Sequence, residues 1–271
     1  MIDFIFEPLQ YSFIQRALFA SILVGLACAV LGIYVVLRKM AFIGHALSHS
    51  ALPGLVIAYL CGYNLFGGAI VATVLTALGI GLIVKNESVY EDTAIGIVPI
   101  FMFAFGILLI STTKSYRDLS AMLFGNILGV GISDMIWISL LTLFVIGTLF
   151  LFHKEFELFS VDPYYAKAIG INLNLMRYGL LFLLALTVVT GIQAVGTILT
   201  NALLIVPVAS ARLLTNRLRT MMILAAVIAV SSGIVGIYIS YYFNVSSGAA
   251  IVLMTTIWFV GIWLLKTFKN K

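Results

Sequence analysis

Two of the three histidines in this chain stand four residues apart, in the run His45-Ala-Leu-Ser-His49. The surrounding residues predict a helix, and positions i and i+4 lie on one face of a helix. Neutral imidazole is a good ligand for first-row divalent metal ions, so the pair predicts a metal contact. The alternative is that both rings form only hydrogen bonds at the edge of a membrane.

Two imidazoles do not complete a metal site. The remaining ligands would be waters, the Ser48 hydroxyl, or the Asp92 carboxylate if the fold brings it close. Glu91 and Asp92 directly precede an apolar run, where the helix dipole stabilises carboxylates, so N-terminal capping explains both without a metal. A site with so few ligands should bind its ion weakly and release it readily.

A second candidate feature is the segment 161–171, in the longest predicted cytoplasmic connection. Asp162 is a good N-cap, Pro163 suits the first helical position, and Gly170 suits the position after the C-cap. These residues predict a helix of about two turns outside the membrane.

Two functions are open for this short helix. It could rest on the lipid surface with Tyr164 and Tyr165 at the headgroups. It could equally bind a partner protein through Tyr164, Tyr165 and Lys167. The residues alone do not decide between them.

The elements that position these residues must be membrane spans. Of 271 residues, 63% are apolar and 9% are charged, whereas soluble domains have about 45–50% and about 25%. This composition excludes a water-soluble fold. Because a span needs about 20 apolar residues, we expect eight to ten spans in an all-α transmembrane bundle, in a single domain 1–271, with no catalytic domain.

Nine apolar runs are long enough to span. A tenth segment, 119–131, is too short and predicts a half-helix or re-entrant piece buried in protein. The predicted spans are residues 15–37, 46–60, 65–84, 94–110, 135–152, 178–195, 197–214, 221–242 and 248–265.

The basic residues predict the orientation of the chain. Lys and Arg are enriched in cytoplasmic loops, and one orientation places 12 of the 15 basic residues inside. It gives an external N-terminus and a cytoplasmic C-terminus. The net charge of +5 is therefore attributed to topology and not to nucleic-acid binding.

Missing motifs argue against several other functions. The chain has no GxxxxGK[ST] loop, so any ATP must be hydrolysed by a partner, and its HALSH run lacks the glutamate of HExxH metalloproteases. The chain is thus expected not to be an enzyme. An ion-driven secondary transporter would need intramembrane carboxylates as proton carriers, and the acidic residues here lie at predicted span ends or in loops.

Taken together, five stretches of the chain resemble the manganese/zinc permeases of bacterial ATP-binding-cassette importers, and the resemblance extends over nearly the whole sequence. Their order and spacing make the match specific. The stretches are residues 38–54, 91–96, 123–129, 162–170 and 196–212.

This resemblance implies the fold of the cobalamin, siderophore and metal-ion importer permeases. It implies two permease copies, a cytoplasmic ATPase that docks on the 161–171 coupling helix, and an extracellular metal-binding protein, all at the bacterial cell membrane. The cargo would be Mn²⁺, with Zn²⁺ next, and no cofactor would be covalently bound. Family members usually have Asp where this chain has His45. The alternatives are an ion-driven secondary metal transporter and a permease for a metal chelate. The chelate permease would need no histidine pair.

Overall fold

The computed structural model describes residues 6–85, 89–111 and 127–269, and within these ranges it contains helices and no strand. Short 3₁₀ turns lie at Pro8–Gln10 and Ile127–Gly129. The α-helices are α1 (Ser12–Leu37), α2 (Ile43–Ser50), α3 (Leu52–Cys61), α4 (Leu65–Val84), α5 (Glu91–Ser111), α6 (Ile132–Leu151), α7 (His153–Val161), α8 (Pro163–Ala168), α9 (Leu173–Val195), α10 (Thr197–Leu214), α11 (Leu218–Phe243) and α12 (Ser247–Lys269).

In the described ranges, nine helical segments are long and apolar enough to cross a membrane, with α2 and α3 together forming the second. The prediction of an all-α bundle with about nine spans is confirmed. Most of the predicted short segment 119–131 lies outside the described residues.

Helices α1 and α9 form the centre of the bundle. Helix α1 packs against α6, α9, α10 and α11, and α9 also contacts α4. Both helices bury most of their side chains, whereas α6 and α12 leave most of theirs at the periphery. This distribution suits a membrane, where outer helices present apolar side chains to lipid.

Small residues allow α3 and α4 to approach closely. A Cβ atom added to Gly54 would collide with the backbone carbonyl of Gly68, and one added to Gly68 would collide with that of Gly54. Such glycine contacts replace hydrophobic burial as a source of helix association in lipid, because they bring the backbones into van der Waals contact.

The second span is interrupted at Ala51, directly after the histidine pair. Pro53 follows at the start of α3 and has no N–H to donate to the carbonyl of His49, so the helix restarts there. Helix α10, in contrast, runs without a break after Gly196, although Pro207 lies inside it.

Candidate metal pathway and docking helix

The rings of His45 and His49 are adjacent on one face of α2. Their centroids are 4.6 Å apart and the rings meet edge to face at 81°. Helix α2 begins at Ile43, so His49 lies about 9 Å along the second span, given a rise of about 1.5 Å per residue. The helical spacing therefore produces the shared face that the sequence predicted.

The two histidines differ in their surroundings. His45 is exposed, whereas His49 is partly buried and stacks edge to face on Phe103 of α5, with centroids 5.0 Å apart. The Nδ1 atom of His49 is buried and has no hydrogen-bond partner in the structure. A buried nitrogen without a partner costs free energy, so this atom is available to a ligand.

The histidine pair lines a cavity of about 420 Å³ between α2 and α5. Asp92, in the first turn of α5, lines the same cavity, so the fold brings this carboxylate to the side of the bundle that holds the imidazoles. The complete lining is Phe42, His45, Ala46, His49, Asp92, Ile95, Gly96, Pro99, Ile100 and Phe103.

Ser48 is not brought into this cavity. Its side chain is fully buried, and its hydroxyl donates a 2.8 Å hydrogen bond to the carbonyl of Gly44. Within the described ranges, no three His, Cys, Asp or Glu side chains are close enough to hold one metal ion. One copy of the chain thus offers two imidazoles and a nearby carboxylate, not a closed coordination sphere.

Glu91 and Asp92 both lie in the first turn of α5, as the capping interpretation requires. No local sequence pattern predicted that Glu91 would also form ion pairs. Its carboxylate is 2.7 Å from Nη2 of Arg38 and 3.5 Å from Nε of Arg177. These partners are far apart in the chain, so no local pattern could have indicated the contact.

The segment that we expected to dock forms the helix α8. The Asp162 carboxylate accepts a 3.0 Å hydrogen bond from the backbone N–H of Tyr165, and Pro163 occupies the first helical position. At the other end Gly170 has φ +89°, and the N–H groups of Gly170 and Ile171 donate to the carbonyls of Lys167 and Ala166. This pair of hydrogen bonds is the Schellman motif, in which glycine tolerates the positive φ.

The outer face of α8 is open. Tyr164 is 88% exposed, Tyr165 is 55% exposed and Lys167 is exposed, whereas Ala166 is fully buried against the rest of the protein. Helix α8 rests on α7 and α9. The three side chains named from the sequence therefore share an accessible surface beyond the end of the spans.

These features define a polytopic membrane protein with a histidine-lined cavity and a projecting helix at one end, which is the architecture of a membrane permease. Residues 10–266 match the ABC 3 transport family, and the chain belongs to that family.

Among its relatives is the "Manganese transport system membrane protein MntC" of Listeria monocytogenes, 47% identical over 93% of this chain and 90% of that protein. The "Chelated iron transport system membrane protein YfeD" of Yersinia pestis is 39% identical over 96% of this chain and 88% of that one. A chain in the structure "PsaBC from Streptococcus pneumoniae in complex with Fab" superposes with a TM-score of 0.84 and 38% identity, over 97% of this chain and 95% of that chain.

Proposed function

We propose that this protein is the membrane-spanning subunit of an ATP-binding-cassette importer, and that it conducts a divalent metal ion, first of all Mn²⁺, past His45 and His49. The observation that carries the proposal is the buried, unpartnered Nδ1 of His49 in a cavity that also contains His45 and Asp92. The family match and the Listeria relative support the same function.

The chemistry of these side chains favours manganese as cargo. Mn²⁺ accepts mixed nitrogen and oxygen ligands and lies at the weak end of the affinity series, so two imidazoles, a carboxylate and waters would hold it and release it. Zn²⁺ lies higher in that series and would leave the same ligands more slowly. Zinc is therefore the second candidate cargo and also a candidate inhibitor.

A second copy of the chain would complete the pathway. The cavity opens at the protein surface, where His45 is exposed, Phe42 is 74% exposed and Ile100 is 69% exposed. An ionisable side chain facing lipid is costly, whereas the same side chain facing a twofold-related copy would contribute to a shared site. A homodimer would bring two histidine pairs together.

The ATPase would bind at α8, on the cytoplasmic side. Exposed aromatic rings are typical of a protein contact, and the two caps fix the helix so that little entropy is lost on binding. An extracellular metal-binding protein would deliver the ion to the opposite end. In this arrangement the C-terminus would lie in the cytoplasm of a bacterial cell, with the permease in the cell membrane.

A metal chelate is the second candidate cargo class, favoured by the Yersinia relative, which is named as a chelated iron transport protein. A cavity of about 420 Å³ would admit a small ligand. The histidine pair argues for a bare ion, because a chelate already satisfies the coordination of its metal.

Uptake of labelled Mn²⁺ by cells that lack other manganese importers tests the proposal. The H45A/H49A double variant should lose uptake while its expression and its assembly with the ATPase persist. Ser48→Ala is the matched control, since it lies on the same helix with its hydroxyl bonded to Gly44 and away from the cavity.

Wild-type Mn²⁺ uptake by the double variant would refute the site. If the parent protein took up a chelated iron complex and no free Mn²⁺, the cargo would be a metal chelate and not a bare ion.

A further inference from the structure

Arg38 occupies a junction between three helices. Its side chain is 11% exposed at the end of α1, and its two Nη atoms donate to two different helices. Nη2 donates to Oε2 of Glu91 on α5 at 2.7 Å, and Nη1 donates to the carbonyl of Phe159 on α7 at 3.2 Å. One rigid guanidinium therefore joins α5 to α7.

The contact with α7 holds the guanidinium on two sides. In addition to the hydrogen bond, the Cζ atom of Arg38 lies 4.0 Å from the centroid of the Phe159 ring, a cation–π geometry. The Phe159 side chain is 1% exposed, so it cannot move away independently of α7. A displacement of this end of α7 must carry the guanidinium with it.

The end of α7 that carries Phe159 leads directly into α8. Helix α7 ends at Val161, and α8 begins two residues later at Pro163. At its other end α7 is fastened to α1, where the Tyr34 hydroxyl and His153 Nδ1 are 3.1 Å apart. A force on α8 would therefore pivot α7 about His153 and move Phe159.

A second route from α8 reaches the same carboxylate. Helix α8 also contacts α9, and Arg177 near the start of α9 lies with Nε 3.5 Å from Oε1 of Glu91. Neither of these two atoms has a hydrogen-bond partner. Glu91 thus forms a short ion pair with Arg38 and a longer one with Arg177. A shift of α7 or of α9 would therefore change the distances from Glu91 to these two guanidinium groups.

Glu91 is connected to the cavity wall through its own helix. The next residue is Asp92, and the first turns of α5 also contribute Ile95 and Gly96 to the cavity wall. Pro99 lies inside α5 and cannot donate a hydrogen bond to the carbonyl of Ile95. This missing bond is a point at which the first two turns of α5 can tilt relative to the rest.

We propose that Arg38 and Glu91 form a mechanical joint that transmits displacement of α8 to the cavity beside His45 and His49. The inference rests on the proposed function, because it assigns α8 to ATPase docking and the cavity to the ion. Arg38 and Glu91 are positioning residues in this scheme, since neither lines the cavity. Arginine suits the joint because its planar fork fixes the angle between two donated hydrogen bonds, which a lysine ammonium does not.

A cysteine in the cavity wall would report the transmission without any metal. Gly96→Cys fits, because a Cβ at Gly96 meets no described atom within 4 Å. The reporter is made in a Cys61→Ser background, which removes the exposed native cysteine and leaves Cys28 buried. The complete complex with its ATPase is reacted with a maleimide, with and without ATP and vanadate.

In the reporter protein, ATP and vanadate should change the maleimide reaction rate by about fivefold or more. In Arg38→Gln and in Glu91→Gln the ATP-dependent change should fall below about twofold while the ATPase stays bound. Arg38→Lys keeps the charge without the fork and should give an intermediate response, an effect that a purely structural ion pair would not produce.

Arg212→Gln is the matched control. Arg212 also donates to a carbonyl of α1, that of Val36 at 3.4 Å, but it bonds to neither Phe159 nor Glu91. It should keep the full ATP-dependent change. The joint is refuted if both glutamine variants keep the change with ATPase bound, or if the reporter protein itself shows none.

Mn²⁺ uptake measured with the same variants separates the two proposals. A parent complex that moves no Mn²⁺ but shows ATP-dependent labelling that requires Arg38 would refute the cargo and retain the joint. A parent that imports Mn²⁺ while its labelling is independent of Arg38 would refute the joint and retain Mn²⁺ as the cargo.

Discussion

Glu91 and Asp92 are neighbours in the first turn of α5, but their carboxylates face different environments. Glu91 is 17% exposed and bonded to Arg38, whereas Asp92 is exposed and lines the cavity that contains the histidines. Adjacent side chains of a helix point about 100° apart, so neighbouring carboxylates in one turn can face the ion pair and the cavity respectively.

The two carboxylates should respond differently to neutralisation. Glu91→Gln leaves two partly buried guanidinium groups without their anion, which should cost on the order of 1–3 kcal/mol of stability. Asp92→Asn removes an exposed charge and should leave stability unchanged while lowering Mn²⁺ uptake roughly tenfold, as expected for one lost charge-assisted contact. Thermal unfolding in detergent and uptake in cells measure the two effects.

Each variant is the control for the other in this comparison. A stable Glu91→Gln protein would show that the ion pairs contribute nothing to folding. Normal uptake by Asp92→Asn would remove this carboxylate from the pathway.

Docking at α8 predicts a defect of assembly and not of folding. Replacing Tyr164 by Asp together with Lys167→Glu puts negative charge on the exposed face of α8, where neither residue supports the core. We expect the variant to reach the membrane normally and to lose co-purification of the ATPase. Because a lipid-resting helix would also suffer from added charge, co-purification is the deciding measurement.

Lys154→Glu is a suitable comparison, since it reverses an exposed charge on α7, the helix before α8, without altering α8 itself. It should retain the ATPase. Equal retention by the α8 double variant would contradict docking and favour the lipid-surface interpretation.

The native cysteines provide a test of orientation. Cys61 is exposed at the end of α3, on the side that the charge distribution predicts to be external, and Cys28 is buried. A membrane-impermeant maleimide should therefore label wild-type protein in intact cells at Cys61. In a Cys61→Ser background, Tyr164→Cys should react after permeabilisation alone.

The reverse labelling pattern would invert the topology and move α8 away from the cytoplasm. Labelling of denatured protein provides the control for reactivity, because it makes every cysteine accessible.

The spans and the caps of α8 could be predicted because both depend on local sequence. Lipid requires long apolar helices, and a cap needs only residues three or four positions apart, such as Asp162 and Tyr165. The break after His49 was harder to foresee. Pro53 restarts a helix there, whereas Pro207 lies within the continuous α10, so the same residue type gives different results in different packing environments.

For a similar reason, only part of the candidate site could be predicted from the sequence. The shared face of His45 and His49 follows from helical spacing, but the position of Asp92 depends on how α2 packs against α5. Ser48 was included as a possible ligand because it is close in sequence, and its hydroxyl is instead bonded to Gly44. The pairing of Arg38 with Glu91 joins residues 53 positions apart and required the fold.

His45 provides the most direct test of how this chain selects its cargo, because the family resemblance implies Asp at this position. His45 is exposed at the cavity, with its ring edge to face against His49, so a shorter carboxylate fits without displacing the core. Carboxylate oxygen suits Mn²⁺, whereas a second imidazole raises affinity for Zn²⁺. His45→Asp should therefore retain Mn²⁺ uptake and become less sensitive to inhibition by Zn²⁺, whereas His45→Ala should lose uptake. Competition curves of labelled Mn²⁺ against Zn²⁺ measure the shift, and unchanged zinc sensitivity in His45→Asp would show that this side chain does not contact the ion.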